Sequence, residues 1–323
     1  MAQIIALVAL LLATGLQLAG GAAAQQMFPA RTVRFILPYG PASASDTTAR
    51  LFAERLSKRW GKPVVVENRP GGDGIVSLDA FVGAHDDHTM WFGPAGAFNV
   101  LPYQHDTLSF DLKRDLNPIA SVSEVVLAVS MPVSMNVNSI DELVAMARAQ
   151  PGKLNASAAQ GISDFLLFGF FKSTGLEVVR VPYRDIMQAP GDLAESRIQV
   201  LSTSLAVVQP LSKAGRIRVL AVTSRQRAPT EPDVPTAAEA GYPALTFESI
   251  GGLFGPREMA DQLRERIAAD FQKVAEDPII AKRLADTGQI MSVLGPAQFG
   301  ARVQEQRDKL AALARTLGVK SAQ

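Results

Sequence analysis

Val33-Arg34-Phe35-Ile36-Leu37-Pro38-Tyr39-Gly40-Pro41-Ala42-Ser43-Ala44-Ser45-Asp46 is the run on which the fold turns. Val33 to Leu37 is short, mostly apolar and rich in β-formers, as a buried strand should be. Pro38 closes it, since proline has no amide to give to a ladder. A loop of small and hydroxylated residues follows. Asp46 to Trp60 then reads as a helix with Ala49, Phe52, Ala53 and Leu56 on one face. Ser43 or Ser45 is placed to cap it, and Gly61 to end it. A strand, a small-residue loop and a helix in this order point several free N–H groups at one spot, where the helix dipole adds partial positive charge. That makes an anion cradle without lysine or arginine. One such loop alone is an ordinary βα turn; a second one would give the reading weight.

The rest of the chain repeats the pattern. Strands are expected at Pro63–Glu67, Thr89–Phe92, Ile119–Val122, Val125–Val129, Val178–Arg184, Ile198–Leu201, Ile217–Val222 and up to Leu253–Pro256. Helices are expected at Ile75–Val82, Ile140–Ala149 behind the cap Ser139, Val208–Ala214, a short one from its cap Thr236 to Ala240, two before Thr287, and Pro296–Leu317. A second cradle falls in the loop Ala156 to Ser163, ahead of a phenylalanine-rich helix from Asp164 to Thr174. Alternating strands and helices argue an α/β fold, with mostly parallel sheets flanked by helices, and ligands at the carboxyl ends of the strands.

Composition narrows the function. The 323 residues are 47% hydrophobic with net charge +1, enough for about two domains and not the basic surface that nucleic acid requires. The absence of cysteine excludes disulfides, thiolate chemistry and a lipid-modified cysteine. Met1 to Ala24 carries no charge and ends in Ala22-Ala23-Ala24, a small-residue cleavage pattern. We expect an export signal cut after Ala24. Thr14, Gly15 and Gln17 interrupt its apolar run, which falls short of the roughly 20 residues of a span. Gly72-Asp73-Gly74-Ile75-Val76-Ser77 has serine at the third glycine of a dinucleotide fingerprint, so a turn needing positive φ is the better account. His85, Asp86, Asp87 and His88 lack a matched further ligand and read as a solvated loop. No cofactor and no metal is expected. A serine hydrolase would need an elbow of the G-x-S-x-G type, which is missing, and His85, His88 and His105 fall away from the serine loops.

The chain also resembles the substrate-binding proteins of tripartite tricarboxylate transporters, the Bug receptors. The residues that carry the likeness are Val33 to Tyr39 with Asp46, Pro63 to Gly71, Pro151-Gly152-Lys153-Leu154, Val181-Pro182-Tyr183-Arg184, Leu220 to Ser224, Pro232-Asp233-Val234-Pro235-Thr236 and Glu239-Ala240-Gly241. The resemblance implies a two-lobed periplasmic-binding-protein-like fold with the ligand in the interlobe cleft. One lobe would comprise 27–123 and 226–323, the other 124–225. It implies a monomeric receptor, not an enzyme, that captures a small carboxylate and presents it to membrane permease subunits; a sensor kinase is the alternative partner. Ala42, Ser43, Ser45 and the nearby amides would take one carboxylate, with Ala95 on the neighbouring strand's loop. Ser157, Gln160, Gly161 and Ser163 would face the ligand's other end, Thr203 and Ser204 would stand at the rim, and Tyr39 and Tyr183 would form walls. Asp46 either stabilises its helix or meets the ligand. The chain departs from the family where a glycine pair is usual (Ala42-Ser43), where glycines are usual (Ala156, Ala159), where histidine is common (Phe165), where an Asp-Asn pair is frequent (Thr203-Ser204) and where tryptophan is frequent (Ile250).

Overall fold

The computed structural model describes residues 28–159, 161–183 and 186–321. Its strands are β1 (Val33–Leu37), β2 (Val64–Asn68), β3 (Thr89–Pro94), β4 (Asn117–Val125), β5 (Leu127–Pro132), β6 (Asn155–Ala158), β7 (Val179–Arg180), β8 (Val200–Ser204), β9 (Ile217–Val222), β10 (Ser249–Gly255) and β11 (Gln289–Met291). Its α-helices are α1 (Ala44–Trp60), α2 (Ile75–Val82), α3 (Ala95–Asn99), α4 (Ile140–Ala149), α5 (Ile162–Ser173), α6 (Ala189–Ala194), α7 (Leu205–Lys213), α8 (Asp261–Ala275), α9 (Pro278–Asp286) and α10 (Pro296–Leu317). The expected export signal and Gln160 lie outside the described residues.

Two sheets organise these elements. One has the order β11-β4-β10-β3-β1-β2, the other β7-β6-β8-β5-β9. The strand β4 of the first sheet passes through Val126 straight into β5 of the second, so one run of backbone belongs to both lobes. The sheets are mixed rather than mostly parallel. β1 pairs parallel with β2 and β3, and β6 pairs parallel with β7 and β8. Around β4, β5 and β10 every pairing is antiparallel. The strands that enter each sheet from the other lobe, β10 in the first and β5 in the second, run against the βαβ units already there.

Each sheet is covered on both faces. Phe35, Phe52, Phe92 and Phe271 pack on one side of the first sheet, and Trp91, Phe98, Phe254 and Phe299 on the other. Leu143, Phe170 and Leu220 pack on one side of the second sheet, and Leu193, Leu201 and Val208 on the other. A further cluster spans the lobes: Ile162, Phe165 and Leu166 of α5 meet Val100, Phe247 and Leu310. Gly169 of α5 lets Leu313 of α10 approach so closely that a Cβ there would lie 2.5 Å from its Cδ1. Beside the crossing, Arg302 of α10 pairs with Glu248 at 2.6 Å and Glu124 at 3.6 Å.

Several expectations change. The resemblance places 226–323 with the first lobe, yet Ala228, Val234, Ala237 and Leu245 pack against the second sheet; the return to the first lobe comes at Phe247–Ser249. Ala156 to Ala158 is strand rather than loop. The stretch from Thr236 to Ala240 is a hydrogen-bonded turn, closed by Glu239 N on Thr236 Oγ1 and Thr236 N on the Glu239 carboxylate. His88 is buried, not solvated. Its Nε2 accepts from Ala30 N at 3.0 Å, so Nδ1 carries the proton and donates to Asp87. Asp86 meanwhile pairs with Arg31 and Arg34. The group pins the start of the described chain.

Candidate functional site

Two βαβ units build the site, one in each sheet. In the first, β1 leads through a loop into α1 and back to β2, parallel to β1 in register from Val33↔Val64 to Leu37↔Asn68. In the second, β6 leads into α5 and back to β7, with Ala156 opposite Arg180. In both sheets the returning strand is an edge strand, far in the strand order from the crossing. Both helices therefore begin at the carboxyl ends of their parallel strands, the end at which the chain crosses between the lobes.

The first loop is tightly held. Ser43, not Ser45, is the N-cap, and its Oγ accepts from Asp46 N at 3.2 Å. The Asp46 carboxylate accepts from Ala42 N at 2.9 Å, from Arg50 Nε at 3.0 Å and from Asn68 Nδ2 at 2.8 Å. Asn68 also donates to Tyr39 O at 2.8 Å. Burial alone would raise the Asp46 pKa; the hydrogen bonds of Arg50, Asn68 and Ala42 and the Arg50 charge outweigh it and hold the carboxyl below its ordinary value. Asp46 therefore buttresses the loop. Ala42 sits in the left-handed region at φ 65°, a conformation glycine would adopt without strain. From below, the buried Gln289 of β11 donates to Thr48 Oγ1 and Ala44 O and accepts from Ser123 Oγ.

What remains free is the site. The amides of Ala44 and Ser45 open α1 and have no acceptor among the described residues. The Ser45 hydroxyl stands beside them. Tyr39 is hemmed in by protein yet 37% exposed, as a cleft wall should be, and burial pushes its hydroxyl up to about 12. Ala95 is buried at the end of β3. Its neighbour Gly96 faces the other lobe: a Cβ there would lie 3.4 Å from Ile162 Cγ2, at the start of α5. This contact brings the two loop systems together.

The second loop is looser. Gly161 is the N-cap at φ 85° with no side-chain cap. Asp164 N donates to Ala159 O and Phe165 N to Gly161 O, both at 3.1 Å. The amides of Ile162 and Ser163 are left without an acceptor among the described residues. Asp164 pairs with Arg180 at 2.5 Å, its one ion-pair partner among the described residues, and Arg180 lies over the Phe168 ring at 5.1 Å. Burial pushes the Asp164 carboxyl up, against the pull of Arg180.

The other expected residues divide. Ser163 lies in the first turn of α5, buried. Ser157 sits inside β6 with its hydroxyl sealed and without a partner, so it does not face an open cleft. Thr203 and Ser204 are opposite Ala128 and Leu127, and Leu205 N bonds Val126 O. They stand at the crossing rather than the rim. The Tyr183 hydroxyl donates to Asp192 at 2.7 Å, and burial with that carboxylate pushes it up to about 12. Phe165 stacks on Tyr103, with ring centroids 5.7 Å apart, inside the cluster that spans the lobes. Asn68, Arg50, Asp164 and Arg180 were not among the expected site residues. The spacing Ser43-x-x-Asp46 repeated as Gly161-x-x-Asp164 was the signal that could have found them.

Two α/β lobes sharing a crossing strand, each presenting a helix N-terminus toward the gap, define the periplasmic-binding-protein fold. The model of the tripartite tricarboxylate transporter family receptor matches residues 48–319. The chain belongs to that family, whose members are solute-binding receptors rather than enzymes. Protein BugT of Bordetella pertussis is 26% identical over 330 aligned positions, covering 99% of both chains. A solved structure described as a periplasmic transporter superposes with a TM-score of 0.78 at 25% identity, covering 91% of this chain and 99% of that one. R. palustris Rpa4515, solved with adipate, superposes with a TM-score of 0.75 at 27% identity, covering 91% and 99%.

Proposed function

We propose that the protein is an exported receptor that binds a small carboxylate between its lobes and hands it to the permease of a tripartite tricarboxylate transporter. The observation that carries this reading is the pair of uncapped amide sets, Ala44 with Ser45 and Ile162 with Ser163, at helix starts in opposite lobes. Free N–H groups and helix dipoles suit an anion. The site comprises Tyr39, Ala42, Ser43, Ser45 and Ala95 from one lobe and Gly161 and Ser163 from the other, with Thr203 and Ser204 at its floor. Asp46 keeps the first loop in shape. We draw the lobes at 28–125 with 248–321, and at 127–247. The adipate held by Rpa4515 and the periplasmic setting of the relative support the ligand class and the compartment. Among the described residues no helix is long and apolar enough to cross a membrane.

A thermal-shift screen of the mature protein tests this. The panel holds succinate through suberate, the matching monoacids, citrate, aromatic acids and amino acids. A ligand at a hundred times its dissociation constant adds about 2.7 kcal/mol of stability. A shift confined to carboxylates supports the reading; none across the panel rejects it. Ser45→Asp, which sets a charge in the first cradle, should abolish the shift. An unchanged shift would move the site elsewhere.

A further inference from the structure

We infer that Arg180 makes this receptor selective for dicarboxylates, by taking the ligand's second carboxylate at the start of α5. The inference rests on the receptor reading above and narrows its ligand class.

The two helix starts present different charges to a ligand. Asp46 is closed off by three donors, and its partner Arg50 also reaches Asn68 Oδ1 at 3.0 Å. The first cradle thus offers amides, a hydroxyl and a dipole, and its own charges are spent on one another. At α5, Asp164 Oδ2 takes one N–H of Arg180. The other donors of that guanidinium have no partner among the described residues, and its side chain is 60% exposed. A guanidinium holds five donors in a planar fork, enough to bridge two carboxylates. Arg180 ends the edge strand of its sheet while Asp164 is the third residue of α5. The guanidinium therefore lies against the first two turns of α5, at Asp164 and over the Phe168 ring, next in the chain to the unbonded amides of Ile162 and Ser163.

Energetics favours the exchange. An exposed ion pair contributes little to stability, so little is lost when Arg180 turns part of its fork from Asp164 to a ligand. A hydrogen bond to a charged group inside a closed cleft is stronger than one between neutral groups. The sign also matters. A monoacid would leave its apolar tail beside the Asp164–Arg180 pair and gain nothing from it. A diacid would face Asp164 and needs Arg180 between the two carboxylates.

The experiment is calorimetric titration of the full mature protein with adipate and hexanoate, which share a chain length and differ in one carboxylate. The wild type should prefer adipate. Arg180→Gln should lower the adipate-to-hexanoate affinity ratio at least tenfold, and Arg180→Lys, which keeps the charge without the fork, by less. Asp164→Asn should raise the ratio severalfold, because it removes the repelling charge and frees the guanidinium. A ratio that Arg180→Gln leaves unchanged, or a wild type that prefers hexanoate, overturns the inference while the receptor reading stands. A wild type that binds no acid from succinate to suberate, nor any of their monoacid counterparts, removes both. Thermal midpoints of the variants, expected near the wild type for so exposed a side chain, separate lost binding from lost folding.

Discussion

The β1-α1-β2 and β6-α5-β7 units are built to one plan and finished differently. Each places an aspartate three residues after the N-cap, and each brings a polar residue from the end of the returning edge strand to that aspartate: Asn68 to Asp46, Arg180 to Asp164. The first aspartate is held by three residues and steadied from below by Gln289 through Thr48 and Ala44. The second has one ion-pair partner among the described residues, itself largely exposed. The first loop can consequently sustain a left-handed alanine, because the surrounding bonds over-determine it. The second turns on a glycine. A receptor built this way keeps one end of its ligand in a preorganised seat and leaves the other adjustable. Less ordering cost then falls on the end that every ligand shares.

The comparison breaks most visibly at Asp46. Asp46→Asn leaves Ala42 N, Asn68 and Arg50 facing a group that cannot satisfy all three. Leaving buried donors short of an acceptor costs about 1–3 kcal/mol, read as a lower urea midpoint at unchanged slope. The pH dependence has a definite sign. A folded pKa below the unfolded value means that the contribution is present above about pH 4 and is lost as pH falls through the folded pKa. Wild type and variant should therefore converge in acid. A loss under about 1 kcal/mol at pH 7 would remove the claim that the first seat is rigid.

Gly169→Ala asks whether the second unit is soft throughout or only at its loop. A Cβ would press into Leu313. Overpacking costs about 1–3 kcal/mol, and helix propensity returns about 1. We expect a net loss of about 1 kcal/mol, recovered in part when Leu313→Ala makes room. A neutral outcome would mean that the α5–α10 seam yields as easily as the loop does.

Much of the first unit was legible from its residues because its signals are local. A strand closed by proline, a serine cap and a terminal glycine need only their neighbours, and Val33–Leu37, Ile140–Ala149, Ile217–Val222 and Pro296–Leu317 match to the residue. In the second unit the helix and the returning strand were legible, but the leading strand was not. Asn155–Ala158 is only four residues of small and polar side chains, and its strand character comes from β8 and β7 on either side. Gln289–Met291 is shorter still and is strand only because β4 lies beside it. Asn68 reaches Asp46 from 22 residues away and Arg180 reaches Asp164 from 16, so no local pattern announces them. The crossing at Val126 was hidden for the same reason: two adjoining apolar runs do not reveal that they belong to different sheets.

Ala42→Gly sharpens the contrast in the other direction. Left-handed backbone costs an alanine about 1–2 kcal/mol, and glycine gives back about 0.4–1 through the freer unfolded chain. A gain of about 0.5–1 kcal/mol should appear in urea unfolding. An unchanged midpoint would mean that the Asp46 bonds already relieve the loop.

The smallest effect is the most telling. Burial raises the Asp164 pKa above the ordinary value and Arg180 only partly opposes it. The folded state then binds a proton more readily than the unfolded chain. The charged carboxylate is therefore a cost at neutral pH, relieved as pH falls through the raised folded pKa toward about 3.9. Asp164→Asn removes that cost and an exposed ion pair with it, so stability at pH 7 should move by no more than about 0.5 kcal/mol. As pH falls through that range the wild type should gain on the variant, opposite in sign to the Asp46 pair, where the wild type loses its advantage. A loss above about 1 kcal/mol at pH 7 would show Asp164 to be a second buttress. The two units would then be equally rigid, and a ligand would have no adjustable end to meet.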